Sequence, residues 1–148
     1  MRPIPILASL VILASAASAD QIILEKGEWT MTSDFYLTIE EGGRLLDEES
    51  DSETVTECWR LDEEVVIDES MVVSPDCRVL DRGSVRTDYL IELQMVCVID
   101  GLDMDGAILM TTNKARNMLS ARYWLKSADY STTVRSDGII MGRRNGAC

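Results

Sequence analysis

The chain has 148 residues, 26 acidic and 14 basic side chains, no histidine and a formal net charge of −12. That balance argues against a nucleic-acid surface, which needs clustered Lys and Arg to meet phosphates. The lack of imidazole removes the usual activating base and the commonest metal ligand.

Residues 1–19 (MRPIPILASLVILASAASA) read as an export signal. Arg2 precedes an apolar run from Ile4 to Leu13, and Ala17-Ser18-Ala19 forms a small-x-small cleavage site. The run is shorter than the roughly 20 residues that a bilayer core of about 30 Å requires. Nothing later in the chain is expected to cross a membrane. Cleavage is expected near Ala19/Asp20, leaving residues 20–148 as a single domain of 129 residues in the periplasm or outside the cell.

An oxidising compartment decides how Cys58, Cys77, Cys97 and Cys148 are read. An even cysteine count in an exported chain is normally a disulfide framework, and no Cys-x-x-Cys motif suggests a metal. Four cysteines allow three pairings. The expected one joins Cys58 to Cys77, closing a short loop, and Cys97 to Cys148, fastening the chain end to a strand.

From Glu28 to Glu40, Trp29, Met31, Phe35, Leu37 and Ile39 alternate with polar residues, predicting a half-buried antiparallel strand. Residues 41–53, with Gly42-Gly43 and an acidic run, read as a solvated hairpin connection, and Thr54–Trp59 as the returning strand. A short helix is expected over Asp62–Met71, capped by Asp62 with Glu63 and Glu64 at its positive end, although Val65-Val66-Ile67 is β-branched. Cys77–Leu80 is a strand, and Asp81-Arg82-Gly83-Ser84 a turn. Val85–Ile99 is a strand placing Tyr89, Ile91, Leu93, Met95 and Cys97 on one face. Asp100-Gly101 is a hairpin turn. Strands follow at Met104–Thr112, Asn117–Ser127 and Ser131–Arg143, separated by Asn113–Arg116 and Ala128-Asp129. The expected fold is mainly β: an antiparallel meander forming a small, lipocalin-like β-barrel or a strongly curved sheet.

Several features together resemble family 3617 of the bacterial domains of unknown function. They are Gly27-Glu28-Trp29, then Cys58, Cys77 and Cys97 in that order, and the ending Gly142-Arg143-Arg144-Asn145-Gly146-Ala147-Cys148. The resemblance implies an exported, usually periplasmic, Gram-negative protein with no established activity and no catalytic residue to carry over. The chain departs from the family where Arg60-Leu61-Asp62 replaces its usual Thr-Pro pair, and in its acidity. Gly-x-Trp also opens the first strand of lipocalin-type barrels, where the Trp plugs the closed end and the Gly lets backbone pass; Gly27 and Trp29 are assigned those structural roles.

Candidate chemistry is sparse. Asp100–Gly106 has carboxylates at alternate positions, but in an EF-hand alignment Gly101 and Thr112 fall on the first and twelfth ligand positions, so a hairpin turn is the better reading. The acidic stretch Asp47–Glu53 reads as a loop rather than a cation site. Arg143 and Arg144 are candidates for clamping a carboxylate or phosphate, or for local pairing. No catalytic, cofactor or metal residue is assigned. Met31, Phe35, Tyr89, Met95 and Trp124 are the candidate lining of a soft apolar interior. The expected function is non-enzymatic binding of a small apolar ligand or an envelope partner. A solid structural or interaction module is the alternative, and a carboxylate-dependent hydrolase the third reading.

Overall fold

The computed structural model describes residues 21–59, 65–83, 87, 89–129 and 131–148. The expected leader at 1–19, the expected cap Asp62 with Glu63 and Glu64, and Ser84 and Val85 lie outside them. The elements are β1 (Gln21–Leu24), β2 (Gly27–Glu41), β3 (Arg44–Trp59), β4 (Val65–Asp68), α1 (Glu69–Val72), β5 (Cys77–Asp81), β6 (Leu90–Ile99), β7 (Leu102–Thr112), β8 (Met118–Asp129) and β9 (Thr132–Gly146).

Strands β5 to β9 form a meander, each hydrogen-bonded to the next, and the β2–β3 hairpin adds to the free side of β9. The result is one seven-stranded antiparallel sheet in the order β3-β2-β9-β8-β7-β6-β5. Alternation accounts for its sidedness. Ile91, Leu93, Met95 and Cys97 on β6, Met104, Ile108 and Met110 on β7, and Leu119, Ala121 and Leu125 on β8 are all buried on one face, called inner here. A separate ribbon, β1 paired antiparallel with β4, covers part of that face. Its cross-strand pairs Ile22–Ile67 and Leu24–Val65 point the same way, and Ile22 and Leu24 are fully buried where β1 packs against β6 and β7. Each such side chain is worth about 1.5–3 kcal/mol of apolar burial.

The expected mainly β, antiparallel fold is present; among the described residues β3 and β5 are the two edges of the sheet, and no closed barrel is found. Three expectations about single segments are corrected. Residues 44–53 belong to β3 rather than to a loop. Gly42 and Gly43, at φ +56° and +80°, make a tight two-residue turn from which the chain enters β3 at once, and pairing with β2 overrides the poor strand propensity of the acids. The expected helix shrinks to Glu69–Val72, because the β-branched Val65-Val66-Ile67 pairs with β1 as a strand. Ala128 and Asp129 likewise continue β8 instead of forming a turn.

The cysteines are joined as Cys58–Cys148 and Cys77–Cys97, not as Cys58–Cys77 and Cys97–Cys148. Sequence distance misleads here because Cys58 and Cys77 sit on β3 and β5, at opposite sides of the sheet. Cys77 and Cys97 are direct partners in the β5–β6 register, with Cα atoms 3.9 Å apart. Cys58 is paired with Glu28, which is paired with Gly146; the Cys58–Cys148 bridge therefore reaches across β2. With sequence separations of 20 and 90 residues, chain entropy assigns the two bridges about 3 and about 5 kcal/mol.

The sixteen residues of β3 form an exposed edge strand. Asp47, Glu49, Asp51 and Glu53 stand opposite Ile39, Leu37, Phe35 and Ser33 of β2, so carboxylates project from the inner side of the edge. Inward charges of this kind discourage a second chain from adding to an open edge.

Candidate functional site

The end of the sheet near Gly27 is built around two tryptophans. Trp29 is fully buried, its indole N–H donates to the Glu25 carbonyl at 2.9 Å, and its ring stacks on Trp59 with centroids 5.3 Å apart. Gly27 is required beside it. Its φ is +145°, and a Cβ there would collide with the Gly146 carbonyl oxygen and approach the Arg144 Nε to 2.6 Å. The Arg144 Nε donates to the Lys26 carbonyl at 2.7 Å and lies 3.7 Å from a Glu25 carboxylate oxygen. Gly27 thus lets the Gly146 backbone and the Arg144 side chain pass close by, Trp29 is a buried core residue at this end of the open sheet, and Arg144 is committed to local pairing.

Above this base a pocket of about 560 Å³ opens between the inner face and the β4–α1 segment. It is lined by Met31 of β2, Cys58 and Trp59 of β3, Val65 and Ile67 of β4, Met71 and Val72 of α1, Met110 of β7, Leu119 of β8 and Ile140 of β9. Among the described residues no charged side chain lines it, and three thioethers give it an adaptable wall. Its volume lies within the roughly 300–1,000 Å³ of small-molecule sites. The α1 wall is held from outside by a two-pronged ion pair, in which Arg82 Nε and Nη2 each donate to a Glu69 carboxylate oxygen at 2.9 Å.

The expected lining residues are dispersed. Met31 is in this pocket. Phe35 shares its face but lines a second cleft of about 490 Å³ farther along the hairpin, with Tyr36, Leu37, Glu48, Glu49, Ser50, Asp51 and Ser136. Met95 is buried in solid packing with Cys97, Met104, Ile108 and Leu125. Tyr89 precedes the start of β6 and does not share its alternation; its ring lies 5.2 Å from the Arg116 guanidinium carbon. Trp124 is on the outer face, 45% exposed.

Met110, Leu119 and Ile140 lie in expected strands but were not singled out; taking Trp124 as inward sets Leu119 on the wrong face of β8, and nothing in the sequence aligns those strands with one another. Val65 and Ile67 were hidden by the helical reading of their segment. Asp100 and Gly101 form the β6–β7 turn as expected, at φ +50° and +80°. Among the described residues no group of three or more His, Cys, Asp or Glu is placed to hold a metal ion, and no helix is long and apolar enough to cross a membrane.

The fold and pocket define a disulfide-stapled, open antiparallel sheet with an apolar cleft under a short ribbon; two disulfides fit an oxidising environment. Compared with family models, with curated proteins and with solved structures, the chain matches none.

Proposed function

We propose that the protein is an exported, non-enzymatic binding module that holds a small neutral apolar molecule in the pocket between its inner sheet face and β4–α1. The observation that carries this reading is the lining itself: the ten described residues that line the pocket of about 560 Å³, from six strands and α1, include no charged side chain. A charged ligand would lose its hydration there without recompense, whereas an apolar one gains roughly 25 cal/mol for each Å² removed from water. In this reading the open sheet and its ribbon do the work of a lipocalin-like interior with one side left open. Export rests on residues 1–19, with cleavage near Ala19/Asp20 and a periplasmic destination, and agrees with the resemblance to family 3617.

The test is a titration of the oxidised protein with 1-aminoanthracene, a neutral apolar fluorophore. Saturable one-to-one binding is expected, weakened by Met110→Trp, which fills the cavity, and by Met71→Glu, which charges its exposed wall. Undiminished binding to both variants would refute the pocket as the site.

A further inference from the structure

The open edge of the sheet at β3 carries a second feature that the pocket does not use. This strand is exposed at every position except Val55 and Trp59, and no described strand lies on its far side. In an antiparallel pair every second residue turns its N–H and C=O away from the neighbour, so an edge strand offers a row of unpaired backbone groups. Two amides of that row, those of Glu48 and Ser52, donate at 3.0 Å to the carboxylates of Asp47 and Asp51, the residues just before them.

Charge at this edge has one sign. Strand β2 carries four carboxylates and no cation, and β3 six carboxylates with the single cation Arg44 at the turn. Arg135, Arg143 and Arg144 stand on β9, which is two strands in from the edge and roughly 14 Å from any strand added to it. Two of them are engaged already, Arg135 with Asp137 and Arg144 with Glu25. Asp47, Glu49, Asp51 and Glu53 project on the inner side of β3, one about every 6.5–7 Å. Beside them the cleft of about 490 Å³ is floored by the half-buried Phe35 and Leu37, which stand opposite Asp51 and Glu49.

We propose that β3 pairs with an extended basic segment of another protein, one with Lys or Arg at alternate positions, which adds an eighth strand to the sheet. Backbone hydrogen bonds along the edge supply affinity, and the carboxylate row supplies selection. Each inward Lys or Arg stands across from one carboxylate, at the distance of an ordinary cross-strand pair, and lays its aliphatic stem toward the Phe35–Leu37 cleft. Drawn to these cations, the Asp47 and Asp51 carboxylates release the Glu48 and Ser52 amides to the carbonyls of the incoming strand. A second copy of this chain is refused by the same row. Pairing β3 with β3 sets acid against acid, and β5, the other edge, offers only Arg78 with Asp81 in five residues.

The experiment uses the oxidised protein at about 0.15 M salt and a fluorescein-labelled, end-capped peptide of repeating Lys-Thr, read by anisotropy. Binding is expected, with slowed hydrogen exchange at the amides of Glu48, Ser50 and Ser52. The double change Glu49→Gln with Glu53→Gln alters exposed positions and should weaken binding about tenfold or more at an unchanged melting temperature. The same peptide N-methylated at every threonine keeps its charge but cannot form the ladder, and should lose binding to a similar extent; this comparison needs no variant of the protein. The proposal is overturned by absence of binding to the wild type, by equal binding to the double variant, or by protection at β5 in place of β3. Equal binding of the N-methylated peptide would reduce the contact to diffuse charge attraction and equally overturn it.

Discussion

Arg144 lies across Gly27, its Nε donating to the carbonyl of Lys26 at 2.7 Å, and the space it fills is the space a Cβ on residue 27 would need. The end of β9 and the start of β2 are thereby joined at one point beside the buried Trp29. Gly27→Ala introduces both a disfavoured φ and a clash with the Gly146 backbone, and should cost about 2–4 kcal/mol. Arg144→Ala, which removes one hydrogen bond and a partly exposed ion pair, should cost about 1 kcal/mol. Urea unfolding followed by tryptophan fluorescence measures both, and a smaller loss for Gly27→Ala than for Arg144→Ala would contradict this packing.

The disulfide pattern is open to direct chemical test. Peptide mapping without reduction should recover Cys58 joined to Cys148 and Cys77 joined to Cys97. Removing the first bridge with paired serines should lower stability by about 5 kcal/mol and removing the second by about 3, the longer loop giving the larger loss. Recovery of a Cys58–Cys77 peptide would mean that β3 and β5 are neighbours and that the strand order described here is wrong.

How much of this was readable beforehand follows from what alternation reports. Trp29, Met31, Phe35 and Leu37 declared one face of β2, and Ile91, Leu93, Met95 and Cys97 one face of β6, because a period of two is a local property. Strand order is not local. Cys58 and Cys77 are near in sequence and far apart in the sheet, while Cys58 and Cys148 are brought together only because β2–β3 adds to β9. The same reason dispersed the expected lining: Met31 and Met95 share the inner face but belong to different core clusters. Residues 44–53 look like a loop because their strand is defined by its partner and by the Gly42-Gly43 turn rather than by its own propensity.

Neutralising the inner side of the β3 edge tests why it is acidic. Changing Asp47, Glu49, Asp51 and Glu53 to their amides should leave monomer stability within about 1 kcal/mol, since all four are exposed. Self-association should rise, as edge-to-edge pairing loses its electrostatic penalty. Sedimentation velocity at matched concentrations reads the difference; a variant as monomeric as the wild type would show that these charges do not guard the edge.

The Glu69–Arg82 pair fastens the α1 wall of the pocket from outside, where Arg82 is 44% exposed. Glu69→Gln should therefore cost no more than about 1 kcal/mol globally. Backbone amides of β4 and α1 should nonetheless exchange hydrogen several-fold faster, with those of β6 to β8 unchanged. Uniform acceleration across the sheet would mean that the pair supports the whole fold rather than one wall.

Methionine methyl groups offer the most direct view of the pocket. With the ε-methyls labelled for NMR, adding 1-aminoanthracene should shift the resonances of Met31, Met71 and Met110, which line the cavity. Met95 and Met104, packed in the second core cluster, and Met118 and Met141, exposed outside the pocket, should stay in place. Shifts confined to Met118 and Met141, or no shift at saturating fluorophore, would contradict the account of an apolar ligand held between the sheet and β4–α1.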